Sequence, residues 1–189
     1  SVPHWRGPGE IVQACSQQYR LNTREDQPFY IEAWVEKEAL AGIVEAACRD
    51  LDVNCLVCRG FVSQSAMWEA SMRFRGQVDR TSYLIHLGDH DPSGIDMTRD
   101  ICDRLNDTFR ADVQVKRIAL TMDQVTLYEP PPNPAKGTDS RYASYQSEYG
   151  DESWELDALE PSVLTNLIFD EVNGLTDMDK WDRKRKEQN

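Results

Sequence analysis

The sequence predicts an α/β fold built on a largely parallel sheet, and three observations carry that reading. Short runs of aromatic and β-branched residues alternate with segments whose apolar residues recur at helical spacing. The connections between them are brief and fit strand–helix–strand units. The chain has 189 residues, 40% hydrophobic and 29% charged, enough for one substantial core or one domain with a tail.

The first strand signal is FYIEAWVE at 29–36, aromatic and β-branched with partial alternation. KEALAGIVEAACRDL follows, with Leu40, Ile43, Val44, Ala47 and Leu51 on one helical face. The apolar run 53–57 is a second strand, and Arg59-Gly60 is its turn. Ser63 or Ser65 can cap the next helix, in which Met67, Ser71 and Phe74 share a face. Residues 83–87 give the third strand; Ile101, Cys102, Leu105 and Phe109 mark a third helix; 113–120 give the fourth strand. The order β-α-β-α-β-α-β implies four largely parallel strands with helices on both faces, a Rossmann-like layout. A last helix opens at Pro161, turns Leu164, Leu167, Ile168 and Val172 inward, and stops at Gly174.

Between these parts, residues 128–153 are rich in Pro, Gly, Ser and Tyr, and four prolines crowd 130–134. Regular structure is not expected there, and a loop this long is functional or disordered. Residues 1–28 read as an N-terminal extension or linker, 29–175 as the domain, and 176–189 as a charged tail. The chain opens on Ser rather than Met and reads as a piece of something longer. It holds no internal repeat.

The formal net charge of −12 argues against a broad basic surface that grips nucleic acid unaided. It does not exclude a polyanionic substrate held by metal ions and a few local Lys or Arg. The one dense basic run, 180–186, reads as a solvated helix end. No membrane span and no signal peptide are expected. Five cysteines (Cys15, Cys48, Cys55, Cys58 and Cys102) make an odd number. Cys55 and Cys58 form a single C-x-x-C on a strand signal, where residues three apart face opposite ways. With no second pair to complete a zinc site, they read as reduced core cysteines of a cytoplasmic protein.

The chemistry gathers at the strand ends. YLIHLGDHDPSGID at 83–96 ends an apolar run by crowding Asp89 and Asp91 at a turn. Two carboxylates about 4 Å apart repel by about 4 kcal/mol at an effective dielectric of about 20, and a metal cation is the obvious compensation. In open α/β sheets the site lies at the carboxyl ends of strands, where strand order reverses. The first strand ends in Val35-Glu36-Lys37. In the strand order 2-1-3-4, Glu36 meets Asp89 and Asp91 in one crevice. Three such oxygen donors suit one or two Mg²⁺ ions, which stabilise the charge that develops when a phosphodiester is attacked. Two other readings of D-x-D-x-S-G fit less well. As a calcium loop, Asp89, Asp91, Ser93, Gly94 and Asp100 are well spaced, but the last should be Glu and a helix should precede. As an aspartyl-phosphate phosphatase loop, Ser93 replaces the usual Thr or Val and no later paired-acid motif follows.

VEKEAL at 35–40 and GDHDPSG at 88–94 resemble the Toprim domain. That domain occurs in topoisomerases, primases, recombination proteins and nucleases of the overcoming-lysogenization-defect type. Its signature is a Glu closing strand 1 and a D-x-D closing strand 3. Glu-Lys-Glu, Asp-x-Asp-Pro-x-Gly, Arg59-Gly60 and ELDAL at 155–159 look most like the A subunit of topoisomerase VI and its meiotic relative. The resemblance covers residues 29–170 or so. It implies metal-dependent cleavage of DNA phosphodiesters, by nuclease or topoisomerase-like chemistry. Glu36 is then the general acid/base and a metal ligand, and Asp89 and Asp91 hold Mg²⁺ (or Mn²⁺). Glu155 and Asp157 join the acidic centre or a second metal. Topoisomerases of this type place a catalytic Tyr on a winged-helix domain that residues 1–28 are too short to form. That domain therefore lies outside this chain, or the protein is a Toprim nuclease that uses water. Primase activity fits less well, because no zinc-binding module accompanies the motifs. The alternative is a non-catalytic Toprim-like module that binds DNA or a partner. DNA, a further domain or subunit, and a second copy of the chain are the partners implied, and a membrane is not.

Lys37, Lys136 and Arg141 are candidate phosphate contacts, with solvent exposure the plainer reading of each. With two of these cations, the segment 129–150 is expected to be a mobile flap beside the acids. His90 is expected to point away from its acidic neighbours toward solvent, and His86 to be a hydrogen-bonded core residue. Trp34, Trp68 and Trp154 read as core or loop anchors, and Tyr19 and Tyr30 as packing residues. Asp96, Asp100 and Asp103 read as a solvated helix face.

Overall fold

The computed structural model describes residues 4–18 and 21–188; Tyr19 falls outside them. Helix α1 (Pro8–Gln18) precedes a four-stranded sheet of β1 (Phe29–Val35), β2 (Asn54–Val57), β3 (Thr81–Leu87) and β4 (Val113–Ala119). The strands pair in the order β2-β1-β3-β4, all parallel. Parallel neighbours need crossovers, which are α2 (Ala41–Asp50), α3 (Gln64–Arg75) and α4 (Pro92–Asp103). The order reverses between β1 and β3, where Val35 lies in register with Leu87.

Two-residue periodicity decides which face each side chain meets. Ile31, Ala33 and Val35 join Ile85, Leu87 and Ile118 on one face, under α2 and the later helix α7 (Pro161–Gly174). Trp34, Leu84 and Val113 lie on the other, under Met67, Ala70 and Phe74 of α3 and Ile101 of α4. Ser63 caps α3 by accepting from the Ala66 N–H at 3.2 Å. A π-helical turn, Arg104–Thr108, extends α4 and keeps Leu105 buried. On the second face Glu32 is 1% exposed. Its carboxylate accepts from Arg73 twice (2.8 and 2.9 Å), from Tyr30 at 2.8 Å and from Trp34 at 3.0 Å. A buried charge persists when its acceptors are filled in this way. Glu32 therefore serves packing rather than the strand-end chemistry.

Four segments differ from the sequence reading. Helix α1 forms inside the expected linker. Helix α5 (Met122–Tyr128) follows β4, with a capping box between Thr121 and Gln124. Residues 128–153, expected to be irregular, form a two-stranded ribbon of β5 (Asn133–Pro134) and β6 (Glu152–Ser153) around helix α6 (Tyr142–Tyr149). The prolines suppress regular structure only where they stand; past Gly137 nothing opposes a helix. The expected tail carries α8 (Met178–Gln188), which buries Trp181 against the Arg24 guanidinium at 5.2 Å. Gln27 fastens the same region by exchanging hydrogen bonds with the Asp177 backbone (2.7 and 3.1 Å). Trp34 and Trp154 are buried anchors, but Trp68 is 50% exposed and leans on Phe109. Among the described residues no helix is long and apolar enough to cross a membrane.

Candidate functional site

The in-register pair Val35 and Leu87 delivers the next residues of both strands to one crevice. The Glu36 amide donates to the Leu87 carbonyl at 2.9 Å, and Glu36 Oε2 accepts from the Asp89 amide at 3.1 Å. Gly88 makes this approach feasible: a Cβ there would stand 2.6 Å from Glu36 Oε2. The two remaining acids are bound into the backbone. Asp91 Oδ1 accepts from the Gly94 amide at 2.6 Å and caps α4. Asp89 Oδ1 accepts from the Leu156 amide at 2.7 Å. That last bond brings the segment holding Glu155 and Asp157 to the strand ends.

Lys37, expected to be solvated or phosphate-bound, instead lies among these acids. Its Nζ donates to Glu155 and to Asp157 (2.8 Å), and stands 3.7 Å from Asp89. Burial works against its charge, but the hydrogen bonds to Asp157 and Glu155 outweigh it and hold its pKa above the ordinary lysine value. Arg141 does not reach the acids. It pairs with Asp96 and lies over Phe61 at 4.8 Å, while Lys136 is exposed on the loop. Asp96 is thereby half-buried rather than part of a solvated face.

His90 is 2% exposed, contrary to expectation. Its Nδ1 and the Tyr145 hydroxyl are 2.8 Å apart, and its backbone exchanges hydrogen bonds with Trp154 (2.8 and 3.0 Å). Tyr145, Tyr149 and Trp154 pack edge-on around the ring. Burial, then the charge of Arg117, lowers its pKa to about 4, so it is neutral at physiological pH. These contacts pin the segment expected to be a flap. His86 is a core residue as expected, with Nδ1 2.8 Å from Thr98 Oγ1 and a pKa lowered to about 3 by burial.

Arg117 on β4 was not singled out in the sequence, yet it organises the crevice. Its guanidinium donates to Gly88 O (2.7 Å), Gly94 O (3.0 Å), Leu120 O (3.0 Å), Thr98 Oγ1 (2.8 Å) and Asp89 O. The fork ties the end of β3, the start of α4 and the end of β4 together. Burial lowers its pKa to about 10, which leaves it charged.

Burial, then the charge of Asp89, pushes the Glu36 pKa up to about 7, and burial raises that of Asp89. The folded chain thus holds the Glu36 proton more tightly than the unfolded chain, where the ordinary value is 4.5. The stability this group contributes is full below 4.5 and lost as pH rises through about 7. Gln at position 36 keeps an acceptor for the Asp89 amide and carries no charge. Glu36→Gln should therefore raise Tm near pH 8.5 and barely move it near pH 4, a difference of about 2 kcal/mol after allowing for water access. Thermal melts at both pH values check this, and an equal shift at the two would contradict it.

Among the described residues no three carboxylate, imidazole or thiol side chains converge as a ready metal cage. The donor set nevertheless suits a hard cation. All five acids offer oxygen, and Mg²⁺ is commonly held by one or two carboxylates with water and substrate phosphate completing its shell. An ammonium group already sits among three of them. No known protein-family model matches the chain, and no curated protein matches it.

Proposed function

We propose that this chain is a Toprim-type domain that cleaves DNA phosphodiesters with Mg²⁺ or Mn²⁺. One observation carries the proposal: the register of β1 against β3 sets Glu36 beside Asp89, at the point where strand order reverses. Glu followed by D-x-D at these positions is the pattern the sequence shares with Toprim domains. Asp89, Asp91, Glu155 and Asp157 would hold the metal, which supplies charge neutralisation at the attacked phosphate and at the leaving oxygen. Glu36, poised near neutrality, accepts a proton from a nucleophile or returns one to the departing oxygen. Arg117 fixes the carbonyls of Gly88 and Asp89, so the acidic turn meets substrate without reorganising.

Supercoiled and linear DNA incubated with Mg²⁺ or Mn²⁺ provide the test. Asp89→Asn keeps the oxygen that accepts from Leu156, so the turn survives while the charge is lost. Cleavage should fall by about 10²-fold or more; cleavage that survives the change would overturn the proposal. The ion pairs of Lys37 with three of the acids favour one second reading, a module that binds DNA or a partner without chemistry. DNA binding indifferent to both EDTA and Glu36→Gln would decide for that reading.

A further inference from the structure

We infer that Lys37 is a resident counter-ion occupying the place of one divalent cation, and that a metal enters between Asp89, Glu155 and Asp157 only by displacing its ammonium group. The inference rests on the proposed function and goes beyond it, because it assigns Lys37 a task before any substrate arrives.

The geometry supports it from both sides. Lys37 follows Glu36 at the end of β1, and the segment bearing Glu155 and Asp157 arrives from the far end of the domain. The two meet because Asp89 anchors the amide of Leu156, the residue between those acids. Glu155 and Asp157 therefore flank a fixed backbone point, and Lys37 Nζ fills the space between their carboxylates and Asp89. Without a cation there, three carboxylates would face one another in a partly buried crevice. With the ammonium in place one of the three negative charges is offset and the other two remain for a stronger cation to meet.

A lysine suits this task better than an arginine would. Its charge is compact and sits on a flexible four-carbon stem, so it can withdraw without disturbing the backbone. Once displaced, the ammonium remains at the carboxyl end of β1, where it can meet a phosphate oxygen of a polyanion. Lys37 is thus a positioning residue: it stabilises the metal-free crevice and tunes how readily the crevice loads.

Calorimetric titration with Mn²⁺ alone, on the full chain, reads this directly. Lys37→Met should bind Mn²⁺ at least tenfold more tightly than wild type. Lys37→Arg, which keeps the charge, should show no such gain. In EDTA the Met variant should melt below wild type, and Mn²⁺ should close the gap. If wild type and Lys37→Met bind Mn²⁺ equally, the counter-ion role is wrong while the metal site stands. If neither binds, the proposed function falls as well. Should the Met variant fail to fold, wild-type NMR remains: the Lys37 Cε resonances should shift in step with Mg²⁺ loading, and unmoved resonances would overturn the inference.

Discussion

Replacing Gly94 by Ala should lower stability by about 3 kcal/mol, although helix propensity alone forecasts the opposite sign. Alanine in a helix is favoured over glycine by about 1 kcal/mol, and Gly94 lies in the first turn of α4 with an ordinary helical backbone. The difference lies in what the missing side chain admits. A Cβ at 94 would overlap the Asp89 carbonyl oxygen and stand 3.1 Å from its carbon and 3.2 Å from Asp91 Oδ1. Those are backbone and cap atoms that Arg117, Leu156 and the Gly94 amide already hold, so they cannot yield cheaply. Overpacking at a rigid contact costs about 1–3 kcal/mol, and more when backbone must shift. Urea denaturation of Gly94→Ala against wild type gives the answer, and a midpoint equal to or above wild type would refute the close-packing account. The effect on the site should exceed the effect on the fold, because the displaced groups are those of the acidic turn.

The same turn shows what the sequence could convey. Glu36, Asp89 and Asp91 were legible because strand ends and acid spacing are local properties, and the β1–β3 pairing then brings them together. The central strands and helices were legible because a buried face imposes a period on the sequence. Helix α5 was not, since its seven residues bury only Val125 and leave no stripe to detect. Its visible signal was the capping pair Thr121 and Gln124. Helix α6 was missed too: tyrosines at 142, 145 and 149 stand at helical spacing, but the nearby prolines masked it. The placement of His90 was harder to see. It depends on Tyr145 and Trp154, more than fifty residues later, and no local pattern encodes that meeting. Lys37 was misjudged for a related reason: a first-turn lysine is ordinarily solvated, and only the distant Leu156–Asp89 bond brings its partners within reach.

Arg117→Lys should destabilise the chain by about 3 kcal/mol or more, whereas removing its neighbour's charge with Lys116→Ala should cost less than about 1 kcal/mol. The two residues are adjacent and like-charged, and strand alternation gives them opposite fates. Lys116 points outward and pairs with Glu171 at 2.7 Å, half-exposed. Arg117 shares a face with Val113 and Val115, so its charge turns inward, level with His86 and Trp34 across the sheet. There it serves four oxygens of the β3–α4 and β4 ends besides Thr98. A lysine keeps the charge but cannot form that planar fork, and buried carbonyls left without donors each cost about 1–3 kcal/mol. Hydrogen exchange should show the amides of Asp89 and Gly94 losing protection first, ahead of the sheet. Cleavage by Arg117→Lys, if the proposed chemistry holds, should fall further than the loss of folded protein explains, since the turn carrying Asp89 is freed. An Arg117→Lys protein as stable as Lys116→Ala would mean that the fork does not hold the turn. The placement of the acids would then depend on Gly88, Gly94 and the Leu156 amide alone.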